Sequence, residues 1–523
     1  MKKFPPAIFF LLILSASCAE FSADHASSAL EIITPEAILE DAAALSADEM
    51  LGRRAGTEGE ERAVAYIQSR FEAAGLAPIA GSFTQDIEIV GMKRIDERSS
   101  LRIRRDGREL EFQPEQTLTY WSTAQKPVVE IQDAPLLFVG YGVQAPEYDW
   151  DDFKGADVAG KILLFLNDDP AVVEDGQELF EGERRTYYGR WTYKFEQAMR
   201  LGAAGAFVIH TTPSAGYPFS VVQRTGGREQ FEVKLSGSGY QVDLVGWIDE
   251  ASSERIAQQM GTTLEALFEA GARRDFEPVD TGFRVSARIE TDIRELKTRN
   301  VYGLLEGSDP ELKEQMIVFS AHYDHLGVDE NVEGPDKIFN GAWDNASGTA
   351  CVLNLADAFA SLPERPRRSI LFLACGAEEG GILGSKWFVA RPPVERSRMV
   401  ANFNIDMTQI FGLTWDIAAI GVDSNTLGDA LQQVAEETIV SDPDGQERTL
   451  ELTDDSDPRA GSFYRSDQVN FAMAGIPALF IQPGVDYVTP PKVDPQEYHR
   501  EHYHQVSDRI NEAWDLEGAA RDM

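Results

Sequence analysis

The stretch 316–348 begins M-I-V-F-S-A-H-Y-D-H-L-G, passes through a polar loop, and closes with G-A-W-D-N-A-S-G. Met316–Ala321 is a short, largely apolar run of the kind that forms a buried strand. It runs straight into His322, Asp324 and His325, and some twenty residues on, Asp344 and Asn345 precede a helix-like stretch starting at Ala346. An imidazole and a carboxylate thus stand at the end of a strand, where open α/β sheets place their ligands.

Further strand-like runs lie on either side: Asn300–Glu306, Ser369–Cys375, Met399–Asp406 and Ala478–Gln482. They alternate with the helical patterns Ala346–Leu362 and Leu427–Ile439. This alternation predicts an α/β fold, a mixed and mostly parallel sheet with helices on both faces. Upstream, Ile38–Gly75 is helical in pattern, with a capping box at Thr57–Glu60 and apolar positions at Ala63, Ile67, Phe71 and Ala74. Residues 80–130 alternate and carry many charges, as edge strands do. A separate β-rich unit then occupies 131–285, with strands at Pro135–Tyr141, Gly160–Asn167 and Ala206–His210 and a helix over Lys194–Gly205. The catalytic domain is therefore expected in two pieces, 41–130 and 286–523, around an insert.

A chain of 523 residues exceeds one ordinary core, and its net charge of −39 argues against nucleic-acid binding, which needs a cationic surface. The excess of acid is read as a solubility feature. Lys2, Lys3 and the apolar Pro5–Leu14 make residues 1–18 an export signal, too short to span a bilayer as a mature helix. Ser15-Ala16-Ser17-Cys18 resembles a bacterial lipobox, with Ser15 where an aliphatic residue is usual. Lipidation at Cys18 and plain cleavage near Ala19 remain alternatives, and the lipid is the one membrane contact expected. Either route exports the protein, to the periplasm, the outer membrane or the medium, with residues 19–40 as a tether. Cys351 and Cys375 are expected as buried free thiols rather than a disulfide framework.

Several strand ends and loops carry metal-type side chains. His322 and Asp344 come from the opening stretch, Glu378 and Glu379 follow Ser369–Cys375, Asp406 ends Met399–Asp406, and His504 lies near the C-terminus. Nitrogen and oxygen donors without cysteine suit Zn²⁺. Five ligands are more than one zinc needs, which points to two ions sharing a carboxylate. Asp344 is the expected bridge, with His322 and Asp406 on one ion and Glu379 and His504 on the other. Adjacent residues of an extended segment point opposite ways, so Glu378 is left as general base. Asp324, two residues from His322, is expected to fix the imidazole tautomer.

In this order, A-H-Y-D-H-L-G, G-A-W-D-N-A-S-G, A-E-E-G-G-I-L-G-S (377–385), N-I-D-M (404–407) and Y-H-Q-V-S-D (503–508) resemble M28-family zinc aminopeptidases. The insert, through V-G-Y-G-V (139–143), the Tyr148–Gly155 segment, G-K-I (160–162) and G-A-A-G-A (202–206), resembles a protease-associated (PA) domain. The resemblance implies two Zn²⁺ per chain, removal of N-terminal amino acids from peptides with a free N-terminus, a cis peptide after Asp344, and a lid role for the insert. Glutaminyl cyclisation, carboxypeptidase-like release and a non-catalytic receptor are the competing readings. Two departures from the family pattern are Gln468, where many members have His, and Cys375-Gly376 ahead of the glutamate pair. His325, His499 and His502 are expected around the site or on the surface, and His210 is read as structural. Trp343 and Tyr464 fit pocket wall or core equally, and Asp454, Asp455 and Asp457 form a solvated loop.

Overall fold

A computed structural model describes residues 29–223, 225–234 and 241–523. The export signal and Cys18 lie outside the described residues. Seven consecutive buried residues, Ser369–Cys375, set the layering. Side chains alternate across a strand, so Ile370, Phe372 and Ala374 enter one apolar cluster while Leu371, Leu373 and Cys375 enter the opposite one. A strand buried on both faces needs cover on both. On the first face lies the helix Gly348–Ser361, itself packed beneath Pro35–Leu45 and Glu58–Ala73. On the second face lie Leu383–Ala390 and Gln468–Met473, through Phe388 and Phe471.

Met316–His322 is central, parallel to Ser369–Cys375 on one side and Met399–Ile405 on the other. Ala478–Gln482 extends the parallel set, and Asp416–Ile420 adds an antiparallel strand beyond it. The expected mixed, mostly parallel sheet between helices is what the chain forms. Because the three central strands are parallel, their C-terminal ends open on one edge.

The insert has its own sheet. Val128–Phe138, Ile162–Leu166, Gly205–Ile209 and Leu244–Ile248 run parallel, with apolar clusters on both faces. One strand of 27 residues, Val279–Leu305, joins the two sheets. At about 3.3 Å per residue it spans roughly 90 Å. Its first half pairs with Val128–Phe138, and its second half pairs with Thr84–Arg94 and then Ser369–Cys375.

This strand shifts the expected boundaries. The insert does not begin at 131, because Ser100–Arg105 and Leu118–Trp121 pair into its sheet. Nor is 285 a break, since the strand runs straight through it. Alternation identified the edge strands but held no information on their partners. The tether is shorter than 19–40. Thr34 accepts the Ala37 N–H at 3.1 Å, Pro35 takes the first helical turn, and Ile38, Ala42 and Leu45 are buried. The capping box at Thr57–Glu60 does not close. Glu60 is buried instead and accepts hydrogen bonds from Gly56 N–H, the Thr298 hydroxyl and the Tyr323 hydroxyl. Distant partners outcompete the local one. No helix among the described residues is long and apolar enough to cross a membrane.

Phe372 lies fully buried against Phe319, Phe71 and Phe359 at ring distances of 6.0, 6.5 and 6.2 Å. Phe372→Ala should lower unfolding stability by about 3–5 kcal/mol, seen as an earlier urea transition of the catalytic domain. An unshifted transition would contradict this core assignment.

Candidate metal centre

Each expected ligand sits where a regular element stops. His322 is the last residue of the central strand. After Ser369–Cys375, a left-handed Ala377 (φ 57°) turns the chain so that Glu378 and Glu379 face the same edge. Asp406 follows Met399–Ile405. Asp344 lies in a π-type turn, Ala342–Ser347, that leads into the buried helix, and the Asp344–Asn345 peptide is cis. His504, at φ 58°, follows the helix Pro495–His502.

These side chains converge. His322 Nε2 lies 3.3 Å from Asp344 Oδ1 and 3.3 Å from Asp406 Oδ1. His504 Nε2 lies 3.2 Å from Asp344 Oδ2 and 3.2 Å from Glu379 Oε2. The two oxygens of Asp344 therefore face two different histidine–carboxylate sets. Glu378 Oε2 stands 3.9 Å from His322 Nε2, beside the first set. Two groups of donor atoms have metal-binding spacing: His322 with Asp344 and Asp406, and His325 with Asp344 and Glu379. Neutral imidazole nitrogen and carboxylate oxygen are the donors zinc takes, and His322 and Asp344 are buried while Asp406 and Glu379 are largely so. The donor set fits the ion.

Electrostatics point the same way. Burial opposes a charge on His322, but Asp406, Glu378 and Asp344 overcome it and lift its pKa well above the imidazole range. At His504 burial is likewise overcome by Glu379 and Asp344, and the pKa rises to about 11. Glu379 is driven down to about 2: burial works upward, and His504 and His325 outweigh it. Glu378 goes the opposite way, raised by burial and then by Glu379 and Asp406 against the pull of His322. Two neighbouring glutamates are thus split into a committed anion and a proton acceptor of higher affinity, the separation that marks acid–base roles.

Asp324 differs in detail from expectation. Its carboxylate is 3.9 Å from His322 Nδ1, too far to fix the tautomer, and accepts the Glu378 N–H at 2.9 Å instead. It is the main-chain carbonyl of Asp324 that lies 3.2 Å from His322 Nδ1. So Asp324 steadies both His322 and Glu378, through different atoms. Burial raises its carboxyl pKa to about 8.

His325 is closer to the centre than expected. It is buried, with Nδ1 2.7 Å from Glu379 Oε1, although the pair is not aligned as a hydrogen bond. His499 stacks on Tyr503, which stacks on His504, so His499 braces His504 from behind. His502 turns to Ser507 at 2.8 Å, and His210 packs among Tyr217, Phe219 and Trp247 in the insert. Trp343 is core, bonded to the Thr408 carbonyl at 2.9 Å and packed on Phe411 and Tyr498. Tyr464 meets Tyr187 of the insert at 5.6 Å. Asp454 pairs with Arg184 across the same junction. Gln468 is buried behind the centre and accepts from Asn404 at 2.8 Å. Cys375 points to the opposite face of the sheet, and both it and Cys351 are buried free thiols.

Two contributors carry no sequence signal of their own. Asp508 accepts the N–H groups of Trp343 (2.9 Å) and Asp344 (3.1 Å). Asn345 bonds the Ile405 carbonyl at 3.0 Å and accepts from Gly348 and Met407, tying the Asp344 turn to the strand end that bears Asp406. Both stand inside motifs quoted above, but only the folded chain gives them a task.

The family model for peptidase family M28 matches residues 300–522, the segment that holds every candidate ligand just described. Over this segment the chain is similar to peptidase family M28. Aminopeptidase YwaD of Bacillus subtilis is 28% identical over 394 residues, covering 74% of this chain and 66% of that protein, just under two thirds of its length. Mouse aminopeptidase NAALADL1 is 30% identical over 143 residues, 25% of this chain and 17% of that protein. Among solved structures, an aminopeptidase from Aneurinibacillus sp. strain AM-1 superposes with a TM-score of 0.51 at 20% identity, covering 95% of this chain and 94% of that one. That likeness is one of fold.

Asp344→Ala removes the carboxylate common to both donor groups. The variant, dialysed against zinc and analysed by elemental emission, should have lost most of its metal. Occupancy equal to wild type would remove Asp344 from the centre.

Proposed function

We propose that this chain is an exported metallo-aminopeptidase that holds two zinc ions and releases N-terminal residues from peptides. The observation that carries the proposal is the placement of Asp344 between His322 and His504, each with a carboxylate of its own. His322, Asp344 and Asp406 would hold one ion, and Asp344, Glu379 and His504 the other. When bound, zinc ions polarise a scissile carbonyl and lower the pKa of a water molecule.

The chain's residues do the rest. Glu378, with its raised proton affinity, accepts the proton of the attacking water as oxygen bonds to the carbonyl carbon. It returns that proton to the amine nitrogen as the C–N bond breaks. Asp324 keeps Glu378 in place through its backbone N–H. The surplus of acid around the centre favours a substrate with a positively charged α-amine. A receptor that had abandoned catalysis would have no use for a full donor set with an adjacent base.

The insert is read as a PA-like lid. It meets the catalytic domain through Arg459–Glu183 at 2.7 Å, the Arg185 N–H to the Pro458 carbonyl at 3.0 Å, and Tyr187 against Tyr464. A cavity of about 620 Å³ at this junction is lined by Tyr148, Tyr187, Tyr188 and Tyr193 from the insert and by Tyr464 and Met473 from the catalytic domain. The lid reading rests on this shared junction and on the resemblance of the insert to a PA domain. Export rests on Lys2, Lys3 and the apolar run Pro5–Leu14.

Glu378→Gln keeps shape and removes the base. It should retain wild-type zinc content while turnover of aminoacyl anilides falls by about 10²–10⁴-fold. An N-acetylated anilide should not be cleaved by either protein. Wild-type turnover in the glutamine variant, or cleavage of the blocked substrate, would contradict the assignment.

A further inference from the structure

Among the described residues, Arg53 and Lys194 are the long cations among the largest fully buried side chains, and Arg53 lies beside the candidate metal centre. All its hydrogen bonds go to main-chain carbonyls. Nε donates to Tyr323 O at 2.6 Å, Nη1 to Leu45 O at 2.6 Å and Asn340 O at 2.6 Å, and Nη2 to Gly341 O at 2.8 Å. Tyr323 sits between His322 and Asp324. Asn340 and Gly341 open the turn that delivers Asp344. A single planar fork therefore spans the two loops that carry His322 and Asp344, and anchors both to the end of the Pro35–Leu45 helix.

The backbone that presents Arg53 is itself unusual. Leu51, Gly52 and Arg53 are all left-handed, at φ 49°, 65° and 49°. For residues with a side chain this conformation is strained, and it persists where surroundings over-determine it, often at functional sites. Here the surroundings are tight. A Cβ on Gly52 would lie 2.4 Å from Phe339 O and 2.7 Å from Gly327 O. Asn340 also reaches back to Ser46 O at 2.8 Å and Asp48 Oδ1 at 2.9 Å, so the same loops are laced together from the other side.

The charge matters as well as the fork. Burial draws the guanidinium pKa down to about 10, against Asp508, Asp324, Asp344 and Glu379, which draw it up. It stays charged at neutral pH. Its hydrogen bonds are spent on carbonyls rather than on those acids, so its field is free to act on a centre crowded with carboxylates. Lysine offers the charge but not the rigid five-donor fork.

We propose that Arg53 is a positioning residue for the metal centre, clamping the His322–Asp324 and Asn340–Asp344 loops at the separation that two bound ions need. It touches neither substrate nor ion, and acts through the ligands it holds. The inference rests on reading the centre as a zinc site, so the experiment separates the two. Zinc affinity is measured by competition with a fluorescent chelator on the full-length chain, for wild type, Arg53→Lys, Arg53→Met and Phe71→Leu. Melting temperatures of zinc-free and zinc-loaded samples are recorded alongside. Phe71→Leu weakens the core under the same sheet without touching either loop. Arg53→Lys should fold and bind zinc about 10–100-fold more weakly, the usual effect of losing a group that orients a ligand. Arg53→Met should lose at least as much, and Phe71→Leu should keep wild-type affinity despite a lower melting temperature. An Arg53→Lys protein with wild-type affinity, or with a loss matched by Phe71→Leu, overturns the clamp. A wild-type protein that binds no zinc overturns the metal reading itself. If Arg53→Met does not fold, Arg53→Lys decides alone.

Discussion

Carboxylates forced together away from water repel one another, and the repulsion must be relieved by cations or by protons. That constraint governs this molecule. Asp344, Glu378, Glu379 and Asp406 crowd around two imidazoles at one sheet edge, with Asp324 and Asp508 just behind. The outcome among them is uneven: His504 and His325 draw Glu379 down, while burial and the carboxylates of Glu379 and Asp406 push Glu378 up against the pull of His322. Bound zinc would relieve that repulsion, and a carboxylate it left unliganded could move a proton.

The fold supplies the crowding. Three parallel strands bring His322, the glutamate pair and Asp406 to one edge, and the buried Gly348–Ser361 helix is preceded by the turn that adds Asp344. Strands buried on both faces hold these ends rigidly, because neither face can shift without opening a cavity. The 27-residue strand extends that rigidity into the insert. Contacts between residues 183–187 and 454–464 then join the insert to the loop side of the catalytic sheet. Loop 454–464 leads directly to Ser466 and Gln468, which bond Asn404 on the central sheet. The insert junction and the strand ends are thus mechanically continuous.

Much of this was readable from the chain. Metal-type residues stood at the ends of apolar runs, in a consistent order, and those continuous runs marked the strands that carry them. The long-range facts were not readable. Glu60 looked like a helix cap because its real partners, Thr298 and Tyr323, lie more than two hundred residues away. The strands 100–105 and 118–121 showed their alternation but not their sheet. Asp324 had the right spacing for a tautomer partner, yet backbone direction gave that task to its carbonyl. Arg53 had no signature at all: an arginine in a turn is ordinary until four carbonyls converge on it.

The most direct measurement is anomalous diffraction at the zinc edge from crystals of the mature protein grown with zinc. The account predicts two peaks, one within bonding distance of His322, Asp344 and Asp406, the other of Asp344, Glu379 and His504, with Asp344 common to both. A single peak, or zinc that leaves Asp344 unliganded, would contradict it.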